Sequence, residues 1–196
     1  MTAIEIIKNF VDGTLSSSDF EEKIYSDPDL EKLLKAENDL PAYVGEVDLY
    51  TYAISQNFKS FESVFNLQML LSSVLSKSGI THSIERKYEK LFNLSLKAQP
   101  KWLSLPPEYL SNVVEGKEHL TIKDLQAWLK DKITTDFRCL KAAPKWLQNP
   151  DWPLVDNKPL VFVGQLDISG LSHDNAQAYL FFDEDSGTFT TITQAC

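Results

Sequence analysis

Glycine, histidine and cysteine are scarce in this chain of 196 residues, which has seven glycines, three histidines and two cysteines. With so few glycines, the sequence carries neither a GxGxxG dinucleotide-binding motif nor a phosphate-binding P-loop. The histidines, His82, His119 and His173, form no HExxH pattern and no Cys/His spacing typical of zinc. We therefore expect neither a metal ion nor a cofactor.

The two cysteines, Cys139 and Cys196, are too few for a disulfide framework, which favours a reducing compartment. The first residues, MTAIEIIKNFVDG, lack the basic start and the unbroken apolar run of a signal peptide. No apolar run approaches the roughly 18 residues that predict a membrane-spanning helix. These features predict a cytoplasmic protein with no membrane partner.

Basic residues are outnumbered by acidic ones, 19 to 28, and the net charge is −9. The acidic excess lies at the two ends: residues 1–50 carry 12 acidic and four basic residues, and residues 151–196 carry seven and one. Because no basic stripe is present to neutralise phosphates, we expect no binding to nucleic acid. A cationic protein partner fits this charge, although acidity that serves only solubility is the alternative explanation.

Patterns of nucleophilic catalysis are also missing. The stretch GLSHD, Gly170–Asp174, lacks the second glycine of a nucleophile elbow, and its His173–Asp174 pair is predicted to lie in a loop without further metal ligands. Cys139 follows Arg138, but no histidine is near it in sequence, so a buried apolar cysteine is the simpler interpretation. We expect no enzymatic activity, and an unrecognised enzyme is the least favoured alternative.

Helical patterning dominates the first two thirds of the chain. Apolar residues recur at helical spacing from Ile4 to Val11, and most densely from Phe61 to Leu75, which predicts a central buried helix. Helix starts are predicted at Ser18 with Glu21, at Asp27 with Pro28, and at Thr121 with Asp124.

After Ile133 the pattern changes to β-branched and aromatic residues. Strands are predicted at Pro159–Ile168, Gln177–Asp183 and Thr188–Gln194, with a tight hairpin at Gly187 between the last two. The predicted fold class is therefore α+β, an N-terminal helical domain packed on a small C-terminal antiparallel β-sheet. Residues 1–134 form the mainly α-helical region and residues 135–196 the β-rich region, and we expect the two to share one core.

One eight-residue motif occurs twice, as LKAQPKWL at Leu96–Leu103 and as LKAAPKWL at Leu140–Leu147. A helical repeat array would place helices after both copies, but strands are predicted after the second. We interpret the motif as one structural device used twice. In this device a proline ends the preceding element, and the Trp-Leu pair fills an apolar hollow.

The segment RCLKAAPKWLQNPDWPLVDNKPLVFVGQLDI and the ending YLFFDEDSGTFTTITQ resemble the C-terminal part of immunity proteins from bacterial polymorphic-toxin systems, of the contact-dependent inhibition and Rhs kind. The resemblance covers residues 138–194 and is carried by Pro144, Trp146, Gln148, Trp152, Pro153, Pro159, Leu160, Phe162, Gln165, Tyr179, Phe182, Gly187 and Gln194. It implies a protein without catalytic residues that binds one cognate toxin. We expect Trp102, Trp146, Trp152 and Gln165 to be structural anchors.

Charge and resemblance together lead to the hypothesis that an acidic end of the chain covers or distorts the active site of a cationic toxin, such as a nuclease. The candidate toxin-binding residues near the C-terminal hairpin are Asp167, Asp174, Asp183, Glu184 and Asp185. The other acidic end offers Asp19, Glu21, Glu22, Asp27 and Asp29. For either set, the alternative is a solvated surface without a partner. A second class of function also stays open, a non-catalytic adaptor or scaffold that uses the Trp-rich loop Trp146–Trp152 as an apolar anchor.

Overall fold

A computed structural model of the chain describes residues 1–37, 39–117, 119–171 and 174–196. Its contacts divide the chain into two compact units, residues 1–92 and 93–196. The predicted α+β class is confirmed, because helices make up the first part of the chain and a three-stranded antiparallel sheet lies at its C-terminal end. None of the described helices is long and apolar enough to cross a membrane.

The first unit is helical. Its helices are α1 (Ala3–Val11), α2 (Ser17–Ser26), α3 (Pro28–Ala36), α4 (Leu49–Ile54) and α5 (Phe61–Lys77), with a 3-10 turn at Ala42–Val44, and α6 (Lys87–Ala98) runs across the boundary between the units. Helix α5 is the central buried helix that the apolar pattern predicts, since nine of its 17 residues are buried and it packs against α1.

Side chains that accept backbone N–H groups fix the helix starts in this unit. Asp27 caps α3 through two backbone N–H groups, both at 3.0 Å, and Pro28 occupies the first turn, as predicted. The predicted start of α2 at Ser18 is wrong by two residues, because the hydroxyl of Ser16 accepts the N–H of Asp19 at 3.1 Å. Ser16 also donates its hydroxyl to the Asp19 carboxylate at 2.7 Å, which favours this earlier start.

The second unit combines helices with strands. Its elements are α7 (Pro107–Val114), α8 (Ile122–Asp136), β1 (Leu154–Val155), β2 (Lys158–Pro159), β3 (Val161–Asp167), β4 (Ala176–Asp183) and β5 (Thr188–Ala195), with a 3-10 turn at Ser169–Leu171. Strands β3, β4 and β5 form the antiparallel sheet in that order, and β1 pairs with β2 in a separate small hairpin. Helix α8 begins after the predicted cap Thr121.

An aromatic core joins the helices of the second unit to its sheet. Trp152, which is 3% exposed, lies at its centre. Its ring centroid is 5.5 Å from that of Phe137 at the end of α8, and 5.3 and 6.2 Å from those of Phe181 and Phe162 on the sheet. Phe137 in turn meets the edge of Tyr109 on α7. The predicted division at residue 134 follows the change from helix to strand, whereas the contacts group α7 and α8 with the strands.

Candidate functional site

The β4–β5 hairpin presents the three predicted acids Asp183, Glu184 and Asp185 at its tip. Asp183 shapes the turn, since its Oδ1 accepts the N–H of Asp185 at 3.0 Å and its Oδ2 accepts the hydroxyl of Ser186 at 2.6 Å. The bond from the Ser186 hydroxyl is the main reason why the pKa of Asp183 lies below its usual value. Gly187 completes the turn with a φ of 70°, a conformation that glycine adopts without strain.

The other two acids of the tip are paired with cations from distant parts of the chain. Glu184 Oε2 accepts a hydrogen bond from Arg138 Nη2, and Asp185 Oδ2 lies 2.5 Å from Lys158 Nζ. These bonds raise the pKa of both Arg138 and Lys158. Each of the four side chains is at least 50% exposed, so the pairs contribute little to stability. The tip is therefore less negative than its sequence suggests.

A cleft of about 500 Å³ lies beside the tip. It is lined by α7, the end of α8, the β1–β2 hairpin, the start of β3 and the tip itself. Between the two helices, the hydroxyl of Tyr109 on α7 donates to Asp136 Oδ2 on α8 at 2.8 Å, and Lys132 Nζ lies 2.8 Å from the same oxygen. Burial, and then the bond to Asp136, raise the pKa of Tyr109, so its phenol stays protonated. Charged and apolar side chains share the lining, a mixture that suits a side chain of another protein.

One hydrogen-bond acceptor of a residue beside the cleft has no partner among the described residues. Asn157 lines the cleft, and its Oδ1 is buried without a hydrogen bond within the part of the chain that the structure describes. Asp156 and Asn157 form the tight turn between β1 and β2, with φ angles of 47° and 63°. A buried acceptor without a donor costs about 1–3 kcal/mol.

Apolar side chains adjoin the cleft on the outer face of the sheet. Strand pairing places Val161, Phe182 and Phe189 side by side in one row. The rings of Phe182 and Phe189 are 5.0 Å apart, Phe182 also lines the cleft, and Phe189 is 62% exposed. Exposed aromatic residues beside charged groups are typical of protein-binding surfaces. We call the tip Asp183–Gly187, the cleft and these two phenylalanines the hairpin surface.

The remaining two C-terminal acids are not part of the hairpin surface. Strand register pairs Asp167 with Gln177, at the opposite end of β4 from Asp183, and Asp174 precedes β4 at that same end. The length of β4, about 20 Å, separates the two groups. Asp167 accepts the N–H of Ser169 at 2.9 Å, the main reason why its pKa is lowered. The five candidate residues therefore form two sites rather than one.

At the other acidic end, two of the five candidates have structural roles. Asp27 caps α3, and Asp19 accepts a serine hydroxyl at the start of α2. Glu22 and Asp29 are exposed, and Glu21 is half-buried. Among the described residues, none of these five acids forms an ion pair within 4.0 Å. Their charge is thus less compensated than that of the hairpin tip.

The two copies of the repeated motif contact each other. The indole Nε1–H of Trp146 donates to the carbonyl oxygen of Trp102 at 2.8 Å, and the ring of Trp146 packs on Tyr179 at a centroid distance of 4.5 Å. Lys101 and Lys145, which precede the two tryptophans, are exposed. The tryptophans expected as anchors therefore pack inside the second unit.

Two glutamines and a tyrosine fix the loop that carries the second copy. Gln165 exchanges hydrogen bonds of 2.7 and 3.3 Å with the backbone of Lys145. Gln194 accepts two backbone N–H groups of the loop, at 2.9 and 3.1 Å, and donates to a loop carbonyl at 2.8 Å. The Tyr179 hydroxyl accepts the N–H of Leu147 at 2.7 Å. Gln165 was expected to be an anchor, whereas Tyr179 and Gln194 were named only among the residues that carry the resemblance. Their inward positions on strands with alternating side chains are a further signal of an anchoring role.

Among the described residues considered for catalysis, Cys139 lacks the features of a reactive thiol. Cys139 is half-buried, and burial raises the pKa of its thiol, whereas a reactive cysteine needs a lowered pKa. His173 lies outside the described residues. Within the described ranges, no group of three His, Cys, Asp or Glu side chains is placed to hold a metal ion.

Compared with known proteins, the chain has no significant match to a protein-family model, a curated protein or a solved structure. The resemblance of residues 138–194 to immunity proteins therefore stays a prediction.

Proposed function

We propose that this chain is an immunity protein that binds a cognate cationic toxin domain, such as a nuclease, through the hairpin surface and thereby blocks the toxin. One observation carries the proposal: the three acids of the tip, the cleft beside them and the exposed ring of Phe189 lie together at one end of the sheet. The resemblance of residues 138–194 points in the same direction. The proposal assigns the chain no catalytic step and no cofactor, and it places the encounter in the cytoplasm.

The ion pairs of the tip do not prevent such binding. The pairs Arg138–Glu184 and Lys158–Asp185 are exposed, and exposed pairs contribute at most about 1 kcal/mol. A lysine or arginine of the toxin can therefore displace Arg138 or Lys158 at little cost. The new ion pair becomes stronger if the interface shields it from water, whereas the existing pairs are exposed to water.

Attraction at longer range comes from the whole chain, whose net charge is −9. Complementary charge raises association rates 10-fold to roughly 1000-fold at low salt. We therefore expect the rate of toxin capture to fall steeply with ionic strength, while the dissociation rate changes less.

Growth rescue tests the function itself. The toxin domain encoded upstream of this chain's gene is expressed in cells with and without the full chain. Survival only in the presence of the chain supports the proposal. Equal killing in both cases refutes it.

Two matched double variants locate the surface. Glu184→Gln with Asp185→Asn removes two charges at the tip, and Glu21→Gln with Glu22→Gln removes two charges on α2. Both change the net charge equally, so they weaken the long-range attraction by a similar amount. We expect the tip variant to capture the toxin at least about tenfold more slowly than the α2 variant at low salt. Equal rates, or the reverse order, would contradict the hairpin surface as the contact.

An adaptor function through the loop Trp146–Trp152 is not favoured by the contacts of its tryptophans. Trp152 is buried, and Trp146 is half-buried with its ring stacked 6.2 Å from that of Phe181. Neither side chain offers a free apolar anchor to a partner.

A further inference from the structure

Strand β5 leaves one edge of the sheet open. Its sequence, TFTTITQA, contains no charge and no proline, and all but two of its eight residues are exposed. Its pairing with β4 runs through eight residue pairs without a bulge. Natural sheets usually protect their edges with charged residues, prolines or bulges, because an open edge pairs readily with another strand. None of these protections is present in β5.

The opposite edge of the sheet, β3, is protected. A bulge between Phe162 and Gly164 interrupts its pairing with β4. On its outer side, Phe162 N–H donates to the carbonyl of Arg138, and Leu140 N–H donates to the carbonyl of Phe162, both at 2.9 Å. The sheet is therefore covered along part of one edge and open along the other.

The hydrogen-bond pattern identifies the open groups of β5. Asn175 and Cys196 exchange both of their backbone hydrogen bonds, at 3.1 and 3.0 Å. Because such pairs alternate along an antiparallel ladder, the even-numbered residues of β5 bond to β4. The N–H and C=O groups of Phe189, Thr191 and Thr193 point away from β4. Within the described part of the chain they form no hydrogen bond.

The open edge ends at Thr193. At the next outward position, the carbonyl of Ala195 already accepts the side-chain amide of Gln148 at 2.7 Å. Three residues with six backbone groups are thus left to pair.

We propose that this edge pairs with the same edge of a second copy of the chain, antiparallel and about a two-fold axis at Thr191. In this register Thr191 faces Thr191 of the partner subunit, and Phe189 faces Thr193 of the partner subunit. The three residue pairs exchange six backbone hydrogen bonds and join two sheets into one of six strands. Thr–Thr and aromatic–β-branched pairs are among the favourable cross-strand pairs.

Symmetry favours a second copy as the occupant, and charge does not oppose it at β5 itself. A chain with a net charge of −9 repels its own copy along most of its surface, but β5 carries no charge. The acids next to it, Glu184 and Asp185, are paired with Arg138 and Lys158. A two-fold interface needs a patch that is complementary to itself. The β5 edge is such a patch, because Phe189 of each copy faces Thr193 of the partner subunit. Because the contact is small, we expect a weak dimer. This inference does not depend on the proposed function.

Sedimentation of the full chain between about 1 µM and about 1 mM tests the dimer. The mass should rise from the monomer value of 22.3 kDa towards twice that value. Thr191→Pro removes an outward N–H that β4 does not use, and Thr191→Lys places a charge at the axis. Either variant should weaken dimerisation at least tenfold, whereas Ser104→Lys, which adds the same charge to an exposed loop, should not.

Disulfide formation tests the register. Residues of a hydrogen-bonded pair have Cα atoms about 5.5 Å apart, within reach of a disulfide. Thr191→Cys should therefore crosslink two copies on oxidation. Thr193→Cys should not, because its own copy lies about 13 Å along the strand. Both variants carry Cys196→Ser, and Cys139 is common to both.

A chain that stays monomeric at every concentration and does not crosslink refutes the proposal. Crosslinking of Thr193→Cys in place of Thr191→Cys refutes the register. A monomer that loses growth rescue on Thr191→Lys would assign the edge to the toxin instead, and would leave the immunity function standing.

Discussion

Replacing Trp152 by phenylalanine tests whether the aromatic core of the second unit depends on one indole hydrogen bond. The Nε1–H of Trp152 donates to the carbonyl oxygen of Leu160 at 2.9 Å, and both residues are 3% exposed. Leu160 immediately precedes β3, so this bond holds the start of the sheet against the core.

The cost follows from what phenylalanine keeps and what it loses. It keeps a ring that can face Phe137 and Phe181, but it cannot donate to Leu160. A buried carbonyl that loses its donor costs about 1–3 kcal/mol. The smaller ring loses further packing worth roughly 1 kcal/mol. We therefore expect the free energy of unfolding of the second unit to fall by about 2–4 kcal/mol.

Urea unfolding followed by tryptophan fluorescence measures this loss, because all four tryptophans lie within residues 93–196. Trp128→Phe is the matched control. Trp128 is half-buried, its ring lies 5.2 Å from Lys117 Nζ, and its indole makes no hydrogen bond among the described residues. We expect this control to lose less than about 1 kcal/mol. Equal losses in the two variants, or a loss below about 1 kcal/mol for Trp152→Phe, would show that the indole bond does not stabilise the core.

The hairpin and the loop beside it allow three further predictions. Gly187→Ala should cost about 1–2 kcal/mol in urea unfolding, because φ is +70° and the added Cβ meets no atom within 4 Å, so backbone strain alone acts; an unchanged midpoint would contradict this turn. Because the pKa of Asp183 is lower in the folded protein than in the unfolded chain, its carboxylate stabilises the fold. This stabilisation is complete at pH values above the unfolded pKa of about 3.9 and is lost as the pH falls through the folded pKa. Asp183→Asn should therefore flatten the fall in melting temperature below about pH 4, and an unchanged slope would rule out this contribution. Gln194→Leu removes three hydrogen bonds from the loop and should cost at least about 2 kcal/mol, with faster hydrogen exchange at Leu147 and Gln148; unchanged exchange would show that the loop is held elsewhere.

Two of the three helix starts set by neighbouring residues were predictable from this sequence, and the start of α2 was not. The cap at Asp27 and the cap at Thr121 depend on residues two or three positions away, and both are confirmed. The α+β class follows from a change of periodicity along the chain. The β1–β2 hairpin was missed because two-residue strands are too short to show alternation. Its signal was the pair Asp156–Asn157, residue types that tolerate the positive φ of a tight turn.

The candidate site was predictable only in part. The acids of the tip are adjacent in sequence, so their clustering could be read directly. Their partners Arg138 and Lys158 lie 46 and 27 residues away from Glu184 and Asp185, and no local pattern connects them. The cleft depends on four separate segments, and the buried acceptor of Asn157 appears only after they meet. Charge counted along a sequence therefore overstates the charge that a folded surface presents.

Two tryptophans, Trp146 of the repeated motif and Trp152 beyond it, connect the core to the hairpin surface. Trp146 and Trp152 both pack on Phe181, at centroid distances of 6.2 and 5.3 Å. Successive residues of a strand point to opposite faces, so the tryptophans hold the inner face of β4 while Phe182 lies on the outer face. A strand fixed in this way presents the tip without an ordering cost on binding, and such preorganisation raises affinity. The tryptophans thus stabilise the hairpin from the inner face of the sheet. The residues that we propose to contact a partner are the acids and phenylalanines of the hairpin.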